Sequence, residues 1–469
     1  MNSAKKTITK LPRPKRRLAS WAAGTLVVSH ATIAAAQLVE PPPLPGSYNE
    51  LQRPVANGIF RTCANLVNVN GLHVSPVASG TPTQRLTYAC SLMVNTAKLA
   101  NGVAGNPSFD LKLSNSELAT AIQAIAPVQA NAQKQISSET LKMNAIGARL
   151  LNLRGGARGV MLGMNGQDIQ TGGGAAADDV LGGPWGSFVN VTYDWGKIDK
   201  TTLQDAFKQD SYNVLAGTDY RVSDSFVIGG AISYSDTTAK YELGLGNVKA
   251  KTTGAAGYGT YYAGSWYVDG LVSYGHSDFD SRRNINIPSH NAALQSIATS
   301  ATSNPKGAQW SVSLGTGKDF LSESFTVTPS ARLSYLEVKN KAFAEDDPVA
   351  GLGLSVDART LRSLQSSIGA RLSTNVNTSS GVLLPYFSVQ WMHEFKKDSP
   401  SLVSRYVNDP NGLAFSIPTA NQVSNFGVVS VGTSMTMANN FSAFAQLSSA
   451  VGLKEESSYA VSAGLRIQF

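Results

Sequence analysis

From Trp185 to Phe469 apolar and polar residues alternate in runs of about ten or more, each broken by turn or loop residues. A period of two is that of a β-strand, which sends successive side chains to opposite faces. The last run is the clearest. Tyr459, Val461, Ala463, Leu465, Ile467 and Phe469 share one face, and Ser458, Ala460, Ser462, Gly464, Arg466 and Gln468 share the other. The same alternation runs through Val429, Val431, Thr433, Met435 and Met437, and through Trp266, Val268, Gly270, Val272 and Tyr274. It predicts twelve strands, over 185–197, 210–222, 225–238, 249–262, 265–279, 308–320, 324–339, 359–373, 382–397, 424–437, 440–452 and 457–469. Each is long enough to cross a hydrocarbon layer, for which a tilted strand needs ~9–11 residues. The apolar face then meets lipid and the polar face a lumen.

The connections alternate as well. Ser223-Asp224, Ala263-Gly264, Leu321-Ser322-Glu323 and Ala438-Asn439-Asn440 make tight turns, whereas 280–307, 340–358 and 398–423 read as long, mostly polar loops. Short turns on one membrane side and long loops on the other are the habit of outer-membrane barrels, the short turns being periplasmic. A soluble sandwich is the competing all-β reading, but its strands run to ~5–6 residues and its connections do not segregate by length. Trp195, Tyr262, Trp266, Trp391 and Phe395, near strand ends, are expected in interfacial aromatic girdles.

With an opening Trp185-Gly186-Ser187-Phe188, a glycine-rich Val227-Ile228-Gly229-Gly230-Ala231 and a closing Ala463-Gly464-Leu465-Arg466-Ile467-Gln468-Phe469, the region resembles the autotransporter β-domain of type V secretion, over about three-fifths of the chain. The resemblance implies an all-β transmembrane barrel of 12 antiparallel strands in the outer membrane. It also implies insertion by the outer-membrane barrel assembly machinery, with periplasmic chaperones as partners on the way. That machinery would read the final strand and its terminal aromatic residue, here Tyr459, Val461, Leu465, Ile467 and Phe469.

Composition alters the picture mainly at the N-terminus. The formal charge of +8 suggests nucleic-acid binding until its location is noted. Lys5, Lys6, Lys10, Arg13, Lys15, Arg16 and Arg17 all precede Ala36 and no acid does, so the remainder is nearly neutral and no nucleic-acid partner is expected. A cationic stretch, an apolar stretch from Leu18 to Val28 and small residues before Gln37 form a secretory signal peptide over 1–36, with Ala34, Ala36 and Gln37 around the cut. Export to an oxidising compartment makes the two cysteines, Cys63 and Cys90, a disulfide pair rather than a metal site.

Residues 37–136 are then expected as a short disulfide-stapled, mainly α passenger, 137–184 as linker and candidate pore helix, and 185–469 as the barrel. Arg61 to Lys98 reads as short helices or loops joined by the staple. Ser114-Asn115-Ser116-Glu117 caps a helix carrying Leu118, Ala121, Ile122 and Ile125. A further helix from about Ser137 carries Met143, Ile146, Leu150 and Leu153 on one side, and its ~25 Å length approaches the bilayer's hydrocarbon thickness. In autotransporters a helix threads the pore, and this one could, with Ile146, Arg149, Leu150 and Arg154 in the lumen. An ordinary amphipathic helix within the passenger is the plainer alternative.

Nothing in 37–184 supports an enzyme. Serine catalysis needs a general base, and His73 is the only histidine there, without a G-x-S-x-G elbow. On the barrel, His276 precedes Asp278 and Asp280 without a matching acidic pair, and His393-Glu394 lacks the second histidine of a zinc helix. No catalytic, cofactor-binding or metal residues are therefore assigned. The only Asn-Asn pair, Asn439-Asn440, lies in a barrel turn, so self-cleavage by the family's pore-helix route is not expected. Two readings remain: an autotransporter displaying a short non-enzymatic passenger toward a host or cell-surface ligand, with adhesion as its use by family analogy, or a plugged or pore-type barrel whose N-terminal segment stays lumenal or periplasmic.

Overall fold

The computed structural model describes residues 40–71, 80–126, 183–437 and 440–469. Twelve long strands form a barrel: β1 Trp185–Ile198, β2 Phe207–Ser223, β3 Phe226–Tyr241, β4 Gly246–Ala263, β5 Trp266–Ile287, β6 Lys306–Lys318, β7 Thr326–Asn340, β8 Arg359–Ser373, β9 Gly381–Glu394, β10 Asn425–Met437, β11 Phe441–Val451 and β12 Glu456–Gln468. Each pairs antiparallel with the next in chain order. The barrel closes where β1 pairs β12, from Gly186↔Gln468 to Ile198↔Glu456. Closure removes the unpaired edges that hydrocarbon would leave unsatisfied.

Side-chain period and closure together set which residues face out. Along β12, Tyr459, Val461, Leu465, Ile467 and Phe469 are exposed, while Ala460 and Gln468 are buried, as the alternation predicts. The lumen is less uniformly polar than expected. On the inner faces of β1–β5, Phe188, Leu215, Val227, Tyr258, Tyr262, Tyr267 and Leu271 form one apolar cluster, and Ile198, Phe207, Val248 and Phe279 another nearer the long loops.

Three helices precede the barrel among the described residues: α1 Gln52–Asn70, α2 Pro82–Ala100 and α3 Asn115–Gln123. The expectation of short helices or loops over 61–98 is corrected by two helices of 19 residues each. Cys63 on α1 and Cys90 on α2 are joined, with Cα atoms 4.7 Å apart. Thr81 and Gln84 form a capping box with Pro82 in the first turn of α2, and Ser114 and Glu117 form the box read from the sequence for α3. Helix α2 is buried nearly all round although it carries Thr87, Ser91, Asn95 and Thr96. Each of these is satisfied locally. Thr87, Ser91 and Asn95 donate to the carbonyl four residues back, Asn95 Oδ1 accepts from Asn106 N at 2.7 Å, and Thr96 Oγ1 accepts from Leu111 N at 2.8 Å.

The long loops are not the polar connections expected. Short strands Phe343–Ala344, Leu354–Val356, Leu402–Tyr406 and Phe415–Ile417 make a separate four-stranded antiparallel sheet, and Ile297–Ser303 pairs with the overhanging end of β5. Most of their larger apolar residues are turned away from water. Ile285, Ile287, Ile297, Leu352, Leu354, Val356, Tyr406, Phe415 and Ile417 share one continuous core with the helices' Val55, Ile59, Phe60, Leu66, Leu86, Leu92, Met93 and Leu118.

Candidate functional site at the long-loop mouth

The outer surface fixes how the barrel sits. Trp185 and Tyr193 on β1, Tyr220 and Tyr212 on β2, and Trp266 and Tyr274 on β5 all lie eight residues apart on outward positions. At ~3.3 Å per residue and a tilt near 40°, eight residues span about 20 Å, close to the ~25 Å apolar band of outer-membrane barrels. Valine, isoleucine and leucine fill the interval, including Val189, Val191, Ile228, Ile232, Val268, Val272 and Leu314, all exposed. The rings meet across strands, Trp185 and Tyr193 tilted against Tyr220 and Tyr212, and Trp195 stacked on Tyr459 across the closing seam. Of the girdle residues named from sequence, Trp195, Trp266, Trp391 and Phe395 are outward. Tyr262 is not: it faces the lumen and takes a hydrogen bond from Arg221, and its neighbour Tyr261 is the exposed ring. Neighbouring aromatics on one strand look alike in composition; only the register separates them.

Several charged groups on the inner face are held by partners. Asp269 lies 3.4 Å from Arg332, Asp219 lies 3.8 Å from Arg466, and Arg371 covers the Tyr386 ring at 3.9 Å. A buried carboxylate is tolerable only with such compensation.

The chain ends of the barrel meet at the short-turn end, where Gly183 accepts a hydrogen bond from Gln468 and Phe469 pairs with Trp185. The helices are at the other end, over the long loops. Gly58 on α1 lies so close to Phe415 that an added methyl would collide with its side-chain stem. The Leu111 carbonyl accepts from His290 N at 2.9 Å, and Gln123 donates to Asp205 at 2.8 Å. Glu117, the capping residue of α3, also meets His290 Nε2 at 2.9 Å. The histidine contact first, and then the Ser114 hydrogen bonds, hold the Glu117 carboxyl down at about 2. Burial raises Asp205 above the ordinary carboxylate value, opposed by Lys200.

At the centre of the mouth Arg283, from the overhang of β5, is buried. Its guanidinium forms a two-pronged ion pair with Glu345 and donates to the carbonyls of Ala124 at 3.2 Å and Leu352 at 3.3 Å. One side chain thus ties barrel, loop sheet and the C-terminal end of α3 together. Glu345 takes a further hydrogen bond from Leu354 N at 3.0 Å, and Asp347 accepts from Thr299 and from the amides of Val349, Ala350 and Leu352. The burial of Tyr406 beside this cluster raises its hydroxyl's pKa.

The cut-site residues Ala34, Ala36 and Gln37, the candidate pore helix with Ile146, Arg149, Leu150 and Arg154, and His73 lie outside the described residues. His276 stands 3.6 Å from Asp278 on the outer face, and His393 bonds Asn425 beside Phe395. Among the described residues no three His, Cys, Asp or Glu groups gather as a metal site would need, and no helix is long and apolar enough to cross a membrane. Sequence reasoning missed Arg283, Glu345 and Asp347, which sit in segments read as plain loop.

A family model described as the autotransporter beta-domain matches residues 187–448. Among curated proteins the chain is similar to Autotransporter CRAC of Citrobacter rodentium (strain ICC168), 24% identical over 244 residues, which is 52% of this chain and 14% of that protein. It is likewise similar to Outer membrane protein A of Rickettsia conorii (strain ATCC VR-613 / Malish 7), 25% identical over 219 residues, covering 45% of this chain and 10% of that protein. The chain therefore spans a small fraction of the length of these relatives. Among solved structures, the translocator domain of autotransporter NalP from Neisseria meningitidis superposes with a TM-score of 0.51 at 16% identity, over 72% of this chain and 100% of that one, which shows a common fold.

Proposed function

The chain belongs to the autotransporter β-domain family and is an outer-membrane barrel, and from that premise we propose that it carries its own helical segment, residues 40–126, to the cell surface and keeps it there as a non-enzymatic cap. The observation that carries this reading is the core shared by the helices and the long loops, at the end of the barrel opposite its short turns. A segment retained in the periplasm would have no reason to complete its core with the loops of the far side.

The described chain leaves the cap at Ala126, beside Arg283 and Asp205, and resumes at Gly183, beside Phe469. The intervening stretch joins opposite ends of the barrel, and this supports passage of the 137–153 helix, with Ile146, Arg149, Leu150 and Arg154, through the lumen. In the same reading, residues 1–36 direct export and are cut between Ala36 and Gln37. Periplasmic chaperones and the barrel assembly machinery receive the chain, the latter through the outward row ending in Phe469, and the cap meets a host or neighbouring-cell surface in adhesion.

The test is a peptide tag inserted between α1 and α2, with protease added to intact cells and barrel folding followed by heat-modifiable mobility. Loss of the tag beside an intact barrel is the expected result. A tag protected until the outer membrane is opened would return the plugged or periplasmic arrangement to the front. For adhesion, cells carrying the barrel without residues 40–126 should attach less well to surfaces than those with the whole chain.

A further inference from the structure

Beyond the upper aromatic ring, the outer faces of β2, β3 and β5 carry a row of cations set side by side by the strand register. Lys208 opposes Lys240, Lys240 opposes Asn247, and Asn247 opposes Arg282. Like charges placed opposite each other on neighbouring strands repel. The rows beneath are self-neutralising, with Asp210 and Asp280 around Lys249, and Asp236 and Asp278 around Lys251. Between Lys208 and Arg282 the row contains no acid, the next along it being Asp346 beyond Thr302. Lys197, next in that row on β1, is taken by Asp199 at 2.9 Å and Glu242 at 3.6 Å, whereas among the described residues Lys208 and Lys240 form no ion pair within 4.0 Å and Arg282 reaches only the Ser300 hydroxyl. All three cations are exposed. The outward positions of β9–β12 hold no lysine or arginine at all, so the feature is one-sided.

We propose that the row Lys208–Lys240–Arg282 binds an anionic glycolipid headgroup of the outer leaflet. Depth decides the class of lipid. Lys208 lies four residues beyond Tyr212, Lys240 six beyond Tyr234 and Arg282 eight beyond Tyr274. At ~3.3 Å per residue and a tilt near 40° the row stands about 10–20 Å above the girdle. The headgroup layer of a simple phospholipid bilayer is only about 5–8 Å deep on each side. A phosphodiester at the hydrocarbon boundary falls short. A headgroup built of phosphorylated or carboxylated sugars reaches the row, and charge complementarity holds it there.

The experiment uses the full chain refolded in detergent, titrated with purified rough-type lipopolysaccharide and, separately, with phosphatidylglycerol micelles, binding being read by mobility shift at low and high salt. The variant K208S/K240S/R282S is compared with K396S/K397S/K454S, which removes three exposed charges from loops flanking the β9–β12 side. The first should weaken lipopolysaccharide binding by roughly a hundredfold at low salt, from about fivefold per cation near a charged surface, and the second should leave it unchanged. Equal loss in both variants, no loss in the first, or phosphatidylglycerol binding as tight as lipopolysaccharide would each overturn the proposal. Heat-modifiable mobility reports folding in every case. Should the triple variant fail to fold, K208S and R282S singly, with binding by the parent chain that falls steeply with salt, carry the same test; salt-insensitive binding would refute it.

Discussion

Replacing Arg283 with methionine should release the cap from the barrel while the barrel itself stays folded. The side chain is buried, its partner Glu345 is equally enclosed, and the same guanidinium holds the Ala124 and Leu352 carbonyls. Methionine keeps most of the volume but leaves a buried carboxylate without its counter-charge, a change that costs roughly 3–5 kcal/mol in comparable pairs. At ~1.36 kcal/mol per tenfold, cap opening should become about 150- to 5,000-fold more frequent. Hydrogen exchange read by mass spectrometry on peptides from α1 and α2 measures it, with barrel peptides as internal control. Arg283→Met with Glu345→Leu removes both charges, so most of the protection should return. Unchanged exchange in α1 and α2 after Arg283→Met, or a double variant as open as the single, would refute the reasoning that this pair locks cap to mouth.

Loss of the staple through Cys63→Ser with Cys90→Ser should destabilise the helices by about 3 kcal/mol, since a cross-link spanning 27 positions no longer restricts the unfolded segment; circular dichroism melting should show an early helical transition before the barrel melts. Leu314→Arg, at the outward position opposite Gly270 and so midway between the Trp266 and Tyr274 rings, puts a charge in the middle of the lipid-facing band and should cost roughly 2–4 kcal/mol in denaturant unfolding from lipid, whereas Leu314→Ile should be nearly neutral. The pH dependence of the α3 contact follows from Glu117, whose carboxyl falls from an ordinary 4.5 to about 2 in the folded state. A lowered carboxyl gives stability that is fully present above 4.5 and lost as pH falls toward about 2. Protection of the α3 amides, taken relative to their intrinsic exchange at each pH, should therefore fall over that window, and Glu117→Gln should flatten this response.

The barrel was legible because its signal is long. Runs of ten and more alternating residues survive local exceptions, so all twelve strands and the pairing of tight turns with long loops emerge from period two alone. The β5 overhang from Asp280 to Ile287 reads as loop in the sequence because Asp280, Arg282 and Asn284 face outward there and make the stretch look polar, while its inward residues, Arg283 and Ile285, gain their meaning only from the cap above them. The loop sheet hid for a related reason: Leu354–Val356 and Phe415–Ile417 are three residues long, too short for a period to stand out. The α3 cap was visible in Ser114 and Glu117, yet nothing local says that Glu117 also reaches His290, which is 173 residues away. Contacts of that range depend on the barrel bringing distant loops to one mouth.

The arrangement of cap and loops outside and short turns inside is tested most directly by a membrane-impermeant maleimide on intact cells bearing one added thiol. Val103→Cys reports the cap, Leu243→Cys the β3–β4 loop and Leu321→Cys the β6–β7 turn, three exposed sites. Labelling of the first two in intact cells, and of Leu321→Cys only after the outer membrane is permeabilised, is the predicted result. A cap thiol that stays silent until permeabilisation while the β3–β4 loop labels freely would contradict it.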